Sequence, residues 1–432
     1  MQESSRYLVV MTPISKLVVY LLVVHAAMLR AAPVIHEVAA DGAWTWFNDE
    51  RAVWQDGRIQ VGYVRSDGQV AVTCFDPATG KGVETALSTW KEKDDHDNPG
   101  FWIRPDGRIL AAYATHGAKQ TWNYRVSEKR NPGGPEDWGT EQTVDLTSGG
   151  KFPGGWTYCN LYQAGEGELY LFGRAIGWNP TFTVSRDHGE SWSKPVHLLR
   201  HKDRPYFKYA SDGKGRIDVT YTEGHPRMVD NSVYHIYVQD GKWHRSDGSL
   251  LAGEPPFDPG AGTKVYDFGR DHPKGRGWVW DLNYDKHGSP VIAHTVRFTN
   301  DPDDIRYYHA TWDPAAKSWQ SRQIALAGER LYREENDYAG GIVLDSADTD
   351  VVFISTRHDP RGGGITAKRE IYRGERSEAG EWSWTAITQD SAADNLRPYV
   401  PEAHGRKTCV LWFQGEYRTY TDYDCRVLMA LE

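Results

Sequence analysis

The sequence contains few cysteines, few methionines and no excess of basic residues, and these shortages narrow the possible classes of protein. Four cysteines in 432 residues do not require a disulfide framework, although they are compatible with an oxidising compartment. The formal net charge of −9 argues against a general nucleic-acid-binding protein, because such proteins normally carry a basic face. We therefore expect no nucleic-acid partner.

Long apolar segments are absent after the N-terminal region. There, residues 17–29 form an apolar run behind Lys16, and Ala31 and Ala32 supply small residues for cleavage. This pattern predicts a signal peptide over residues 1–32. The run is short for a membrane span, and a buried strand or an uncleaved anchor is the alternative. We expect a secreted or periplasmic protein without a membrane span.

Convincing helical periodicity is missing after residue 33, whereas aromatic residues and glycine are abundant, with 18 Trp, 24 Tyr and 43 Gly. This composition is typical of short strands joined by tight turns. Most of the aromatic side chains are expected in the core. The others would suit sugar binding, because flat aromatic faces pack on the apolar faces of pyranose rings.

One hairpin pattern recurs seven times along the chain. Each copy has a short apolar strand, a turn with Gly or Asp, and a second strand that ends in a polar residue. The copies occupy residues 52–63, 101–113, 159–172, 207–221, 280–293, 341–354 and 399–413. Their spacing of about 50 to 70 residues suits four-stranded blades with extra loops. We predict an all-β fold, with a single seven-bladed β-propeller over residues 33–432; the alternative is six blades or a propeller with a small appended β domain.

Residues 185–192 read Ser-Arg-Asp-His-Gly-Glu-Ser-Trp and match the Asp-box pattern Ser-x-Asp-x-Gly-x-Ser/Thr-Trp. We expect Asp187 to accept backbone N–H bonds, Gly189 to take a positive φ, and Trp192 to pack beneath the hairpin. The pattern predicts a structural turn at the outer strands and indicates no chemistry.

Two cysteines, Cys409 and Cys425, fall on the last two predicted strands. If these strands form a hairpin that folds near Tyr417, the two thiols face each other. A cross-strand disulfide or a pair of buried free thiols is then expected.

A polar side chain ends the second strand of every hairpin. These residues are Arg65, His116, Arg174, His225, His294 or Arg297, Arg357 with His358, and Gln414. Because equivalent strand ends of a propeller converge on one face, they are predicted to form a rim. A ring of donors and cations favours an anionic ligand, and a local cluster can hold one carboxylate even in an acidic protein.

His96 and Tyr158 precede the innermost strands of two neighbouring blades, so they are expected beside His116 and Arg174. This set suits β-elimination on a uronic acid, in which the C5 proton is removed and the C4 oxygen is expelled. Arg or a donating His neutralises the carboxylate, a base takes the proton, and an acid protonates the leaving oxygen. His suits either role, whereas Tyr needs a nearby cation to act as a base. The residues leave open which of the two histidines and the tyrosine is the base.

Four stretches of the sequence resemble the propeller-fold polysaccharide lyases, which include ulvan lyases and rhamnose–glucuronate lyases, within the wider BNR-repeat family. The stretches are Asp-His-Asp-Asn-Pro at 95–99, Tyr-Ala-Thr-His-Gly at 113–117, Thr-Tyr-Cys-Asn at 157–160 and Leu-Phe-Gly-Arg at 171–174. The resemblance extends over nearly the whole chain after the predicted signal peptide. It implies a secreted lyase that cleaves the glycosidic bond to glucuronate or iduronate by β-elimination and requires no cofactor for the chemistry.

The same resemblance implies roles for individual residues. His96 and Tyr158 would do acid/base work, and Arg174 and His116 would neutralise the substrate carboxylate. Within residues 221–227, the predicted substrate-binding residues are Tyr221, His225 and Arg227, the last of these for a neighbouring sugar or a sulfate.

The expected partner is an anionic polysaccharide or oligosaccharide, and the chain is expected to be a monomer. No Cys/His spacing of the zinc type is present. The alternative is a site for a structural Ca²⁺ or Zn²⁺, formed by histidines that could converge in the central channel, namely His225, His294, His358 and His404.

Two rival functions fit the same fold. A sialidase-like exo-glycoside hydrolase needs three arginines, which Arg65, Arg174 and Arg357 could supply, although the Phe/Tyr-Arg-Ile-Pro stretch of those enzymes is missing. A non-catalytic carbohydrate-binding propeller is the second rival.

Overall fold

The computed structural model describes residues 33–165, 167–298, 301, 303–402 and 409–431 of the chain. These residues form seven antiparallel sheets and contain no α-helix. The first strands of successive sheets contact one another around a common axis. The fold is therefore the predicted seven-bladed β-propeller. The signal peptide predicted over residues 1–32 lies outside the described residues.

The strands follow the chain from blade to blade, except that β1 (Val34–Ala39) joins the last one. Blades 1 and 2 contain β2 (Ala52–Gln55), β3 (Arg58–Val64), β4 (Gln69–Asp76) and β5 (Lys81–Lys91), then β6 (Gly100–Ile103), β7 (Ile109–Tyr113), β8 (Thr121–Val126) and β9 (Gln142–Asp145). Blades 3 and 4 contain β10 (Thr157–Ala164), β11 (Glu168–Arg174), β12 (Pro180–Ser185) and β13 (Val196–His197), then β14 (Phe207–Ser211), β15 (Arg216–Thr222), β16 (Val233–Gln239) and β17 (Lys242–Arg245), with β18 (Thr263–Tyr266) also paired to β16.

Blades 5 to 7 complete the ring. Blades 5 and 6 contain β19 (Gly275–Tyr284), β20 (Pro290–Phe298), β21 (Ile305–Asp313) and β22 (Ser318–Gly328), then β23 (Ile342–Leu344), β24 (Val351–Asp359), β25 (Gly364–Arg376) and β26 (Trp382–Ala386). Blade 7 contains β27 (Asp394–Tyr399), β28 (Cys409–Thr419) and β29 (Asp422–Leu431), with β1 outermost. Short 3₁₀ turns occur at Asp95–Asp97, Pro135–Asp137, Leu146–Gly149, Ile176–Trp178 and Pro259–Ala261.

Six of the seven predicted hairpins supply the two innermost strands of one blade. The seventh, predicted over residues 399–413, covers the start of β28 but meets β27 only at Tyr399, because β27 lies earlier in the chain than expected. In blade 1 the turn consists of Asp56 and Gly57, whose φ angles are 49° and 87°, between the paired residues Gln55 and Arg58. Two residues of positive φ match the right-handed twist of the flanking strands. The Asp-Gly pair at Asp56 and Gly57 thus forms the tight turn that the sequence predicted between the two inner strands of blade 1.

The outer turn at residues 185–192 connects β12 to β13. The Asp187 carboxylate accepts the Ser191 backbone N–H at 2.8 Å, and Gly189 has a φ of 89°. Trp192 packs edge-on against Trp122 of the neighbouring blade, with ring centroids 4.9 Å apart. The turn thus holds two blades together.

The ring closes because β1, from the start of the described chain, pairs with β29 from its end. Five residue pairs join these strands, and Val38 and Ala39 are buried. We expect a chain beginning at Asp41 to lose about 3–5 kcal/mol of unfolding free energy relative to one beginning at Pro33, at about 1 kcal/mol for each backbone hydrogen bond. Urea titration of the two chains checks this, and equal midpoints would contradict it.

An aromatic segment before β2 fills the axis of the propeller. Trp46 stacks on Trp280 of blade 5 with centroids 4.2 Å apart, and its indole N–H donates to the Val279 carbonyl. The Arg397 guanidinium of blade 7 lies 4.8 Å from the Trp46 ring. Asn48 donates to the backbone carbonyl of His96 at 2.8 Å. The aromatic segment therefore supports the backbone that carries His96.

The predicted position of Cys409 opposite Cys425 is wrong, whereas the alternative of two buried free thiols is confirmed. The two strands form a hairpin, but Cys409 pairs with Leu431 and Cys425 with Gly415, because the chain turns three residues later than expected. The cysteines of the described residues are free and buried. Within the described part of the chain, no helix is long and apolar enough to cross a membrane.

Candidate active site

Two imidazoles of blade 2 meet at one carboxylate. Asp94 caps the Asp95–Asp97 turn, and its Oδ1 lies 2.6 Å from Nδ1 of His96. Its Oδ2 lies 2.8 Å from Nδ1 of His116, which follows β7. The two rings stack with centroids 4.1 Å apart and planes 12° apart. One carboxylate therefore orients both histidines.

Blade 3 adds Tyr158 and Arg174. Arg174 ends β11 opposite the start of β10, which brings it beside Tyr158. Nη2 of Arg174 lies 3.1 Å from Nε2 of His116, and Nη1 donates to the Tyr206 hydroxyl at 2.9 Å. The guanidinium carbon is 5.1 Å from the Tyr158 ring, whose centroid is 5.7 Å from that of His96. The structure thus brings His96, His116, Tyr158 and Arg174 into one cluster.

The backbone at Tyr158 has a φ of 68°, a left-handed conformation that bulky residues rarely adopt. It coincides with an irregularity in the pairing of β10 with β11. Non-glycine residues held in this region concentrate at functional sites.

The cluster is nearly closed to solvent. His96, Tyr158 and Arg174 are buried, and only His116 has an appreciably exposed side chain, at 23%. Tyr420, in the turn between β28 and β29, packs edge-on with its ring centroid 5.0 Å from His96 and 5.8 Å from His116. Tyr420 therefore partly covers the two imidazoles.

The two stacked histidines have opposite pKa shifts. Burial alone would lower the pKa of His96, but Asp94 and Asp95 outweigh it and raise the value to about 9. Burial lowers the pKa of His116 to about 4, and the charge on His96 adds to this effect. Two adjacent imidazolium ions would repel each other. At neutral pH, His96 is therefore charged and His116 is neutral.

Both ring nitrogens of His116 take part in hydrogen bonds, whereas only one ring nitrogen of His96 does. In the neutral ring, Nδ1–H of His116 donates to Asp94 and Nε2 accepts an Arg174 N–H. Nδ1–H of His96 donates to Asp94, whereas its Nε2 has no partner among the described residues. His96 therefore carries the available proton.

Two buried polar atoms of blade 3 also lack partners. The Tyr158 hydroxyl and Nε of Arg174 make no hydrogen bond to any residue that the structure describes. Burial raises the pKa of Tyr158 well above its usual value, and Arg174 opposes this shift. An unpaired buried polar group costs free energy, and such groups commonly await a ligand or water.

Most other residues of the predicted rim are paired with groups of the protein, so the described strand ends do not present a ring of free cations. Carboxylates from neighbouring segments pair with Arg65 (Glu84, 2.9 Å), Arg297 (Asp337, 2.6 Å) and Arg357 (Glu329, 3.0 Å). His294 is fully buried against the Ser321 hydroxyl, and Gln414 donates to Asn395. Arg65 and Arg357, the two other arginines considered for a hydrolase-like triad, are thus each paired with a carboxylate, whereas Arg174 bonds His116 and the Tyr206 hydroxyl.

The three predicted substrate-binding residues lie in different environments. Tyr221 is fully buried and donates its hydroxyl to the Pro259 carbonyl, so this hydroxyl is already used within blade 4. His225 is buried, with its ring centroid 5.3 Å from that of Tyr206. Arg227 is half-exposed and bonds Glu335 at 2.7 Å.

The histidines considered for a metal do not converge among the described residues. The potential ligand group found there is Asp94, His96 and His116, whose ligand atoms lie within 4.8 Å of one another. These atoms already bond one another, so the group is satisfied without an ion. His404 lies outside the described residues.

Sequence reasoning missed several members of the site. Asp94 lies directly before the stretch Asp-His-Asp-Asn-Pro at 95–99 and two residues before His96, and this short spacing was the available signal. Tyr206 lies directly before β14, the first strand of blade 4. Tyr158 lies at the start of β10, the first strand of blade 3, so the two tyrosines have similar positions in neighbouring blades. Nothing in the sequence indicated that Tyr420 and Glu335 reach this face, because both are far along the chain from His96, His116, Tyr158 and Arg174.

Comparison with known proteins identifies relatives of this chain. A profile described as BNR repeat-containing family member matches residues 59–327. An ulvan lyase of Nonlabens ulvanivorans is 22% identical over 188 residues, which are 35% of this chain and 38% of that protein. The similarity therefore spans well under half the length of that relative.

Two solved structures of a PL25 ulvan lyase resemble the propeller. One, bound to -[GlcA(1-4)Rha3S]-, gives a TM-score of 0.66 at 13% identity over 92% of this chain and 94% of that one. The other gives a TM-score of 0.68 at 14% identity over 91% and 95%. At these identities the likeness shows a shared fold.

Proposed function

The chain belongs to the BNR repeat-containing family, and we propose that it is a secreted polysaccharide lyase that cleaves the glycosidic bond to a uronic acid by β-elimination. The single observation that carries this proposal is the contact cluster of His96, His116, Tyr158 and Arg174. The similarity to an ulvan lyase supports the same reaction class.

The Arg174 guanidinium is suited to bind the uronate carboxylate. It is buried, its Nε has no partner, and neutral His116 adds no second positive charge beside it. A buried cation paired with the carboxylate stabilises the enolate-like transition state that forms when C5 loses its proton. His116 orients Arg174 through Nε2, which leaves the histidine unable to accept the C5 proton in this arrangement.

Tyr158 is then the base and His96 the acid. The Tyr158 oxygen, as the phenolate, takes the C5 proton; the C5–H electrons form the C4–C5 double bond, and the C4–O4 bond breaks. Nε2–H of His96 transfers its proton to the departing O4. Arg174, together with charged His96, stabilises the phenolate. For a pyranose to reach Tyr158, the side chain of Tyr420 must move aside.

The proposed substrate also supports export. A charged polymer is met outside the cell, and the apolar run at residues 17–29 has the composition of a signal peptide.

An absorbance screen against ulvan, gum arabic, heparinoids and pectins tests the function. We expect one polymer to yield unsaturated products that absorb in the ultraviolet, because the new C4–C5 double bond is conjugated with the carboxylate. Saturated reducing ends would instead indicate a hydrolase. Binding without any product would indicate a lectin-like propeller, and either result would overturn the proposal.

A further inference from the structure

The connection between β22 and β23 carries a carboxylate that the proposed chemistry does not use. Glu335 is buried, and its Oε1 accepts a hydrogen bond from Arg227 at 2.7 Å. Its Oε2 has no hydrogen-bond partner and lies 3.4 Å from Nε2 of His225. The Tyr332 hydroxyl of the same connection is also unpartnered. Two buried polar atoms of this segment are thus available to a ligand.

A continuous line of side chains joins Glu335 to the proposed catalytic cluster. Arg174 bonds the Tyr206 hydroxyl, the Tyr206 ring packs edge-on against His225, and His225 adjoins Glu335. The charge on His96 lowers the pKa of the Glu335 carboxyl, but burial has the larger effect and raises this pKa to about 7. Glu335 therefore belongs to the same polar face.

Tyr206 and His225 lie between Arg174 and Glu335. A uronate held by its carboxylate on Arg174 consequently leaves Glu335 to the neighbouring sugar of the chain. An ionised carboxylate only accepts hydrogen bonds, so it pairs with sugar hydroxyls and opposes a sulfate or a second carboxylate. Arg227 bonds Oε1 of Glu335 and leaves Oε2 without a hydrogen-bond partner among the described residues.

We propose that Glu335 is a specificity-determining residue, which accepts hydroxyl hydrogen bonds from the sugar next to the uronate and excludes an anionic substituent there. This inference rests on the proposed lyase function. The substrate class is a polymer in which the uronic acid adjoins a neutral, unsulfated sugar. In this proposal Arg227 holds the Glu335 carboxylate in place and does not bind a sulfate.

A matched pair of polymers tests the inference: ulvan and the same ulvan after chemical desulfation. For the unaltered chain at pH 8, we expect kcat/KM to favour the desulfated polymer by about tenfold or more, since like charges brought together in an interface are strongly unfavourable. Glu335→Gln keeps the shape and removes the charge, so it should bring the ratio close to one. Glu334→Gln, at the exposed neighbouring residue, is the control and should leave the ratio unchanged.

Binding of both polymers to the Tyr158→Phe variant separates the inference from the lyase proposal. If the unaltered chain cleaves neither polymer, but binding favours the desulfated form and Glu335→Gln removes that preference, the specificity role stands and the lyase proposal fails. A preference for the sulfated polymer, or a ratio that Glu335→Gln leaves unchanged, overturns the inference. Absence of binding to either polymer also overturns it.

Discussion

Replacing Tyr158 with phenylalanine should lower kcat on the uronic-acid polymer by about 10²–10⁴-fold, the usual loss when a catalytic base is removed. The phenol ring packs against Phe47 and the Arg174 guanidinium, and the phenylalanine ring preserves both contacts. The hydroxyl makes no hydrogen bond, so its removal breaks none. We therefore expect an inactive but folded protein, measured by ultraviolet product formation and by thermal unfolding.

Tyr221→Phe provides the matched control. Tyr221 is equally buried, but its hydroxyl bonds the Pro259 carbonyl in blade 4 rather than facing the cluster. This variant should lose about 1 kcal/mol of stability through that hydrogen bond and keep its activity. Equal losses of activity in the two variants would show that Tyr158 acts only as a core residue.

The pH profile of the unaltered chain distinguishes Tyr158 from His116 as the base. Burial places the pKa of Tyr158 well above its usual value, so kcat/KM should rise about tenfold per pH unit through neutrality. The pKa of His116 is about 4, so a His116 base would give a flat profile between about pH 5 and 8. A flat profile would contradict the assignment to Tyr158.

Replacing His96 with glutamine should cost a similar factor, about 10²–10⁴-fold, because the leaving oxygen loses its proton donor. The acid works only while protonated, and the pKa of His96 is about 9. In the unaltered chain its contribution is therefore present below pH 9 and lost as the pH rises through that value. Above pH 9 this loss offsets the rise due to Tyr158, so the profile of the unaltered chain should level off, whereas that of His96→Gln should keep rising.

A substrate with a better leaving group separates the acid from the base. A uronide that carries fluoride at C4 needs no proton on the departing atom. Elimination of fluoride should be nearly normal in His96→Gln and remain slow in Tyr158→Phe. If both variants are equally slow with the fluoride, His96 is not the acid.

The inner strands could be predicted because the signals that form them are local. An Asp-Gly turn, as at Asp56 and Gly57, needs only its own two residues to adopt positive φ. The face of the sheet then follows from strand direction, which is why His96, His116, Tyr158 and Arg174 could be assigned to one rim from their positions at strand ends. Closure of the ring by β1 and β29 was not predicted, because the two strands lie at opposite ends of the described chain.

The charge of the rim could not be predicted from the strand ends alone. The arginines are read directly from the sequence, but the carboxylates that pair with Arg65 and Arg357 come from other segments. The position of Cys425 opposite Gly415 shows the same limit, because a shift of three residues in one turn changes every partner across the hairpin.

The sequence by itself determined the seven-bladed architecture and the residue types available for the chemistry, because turns and strand alternation depend on near neighbours. Only the tertiary structure decided which imidazole is charged, since that depends on the shared Asp94 carboxylate and on the 4.1 Å stacking of the two rings. Tertiary structure likewise brought Glu335 and Tyr420 to the site. Electrostatic energies vary with distance and burial, and those are properties of the folded chain.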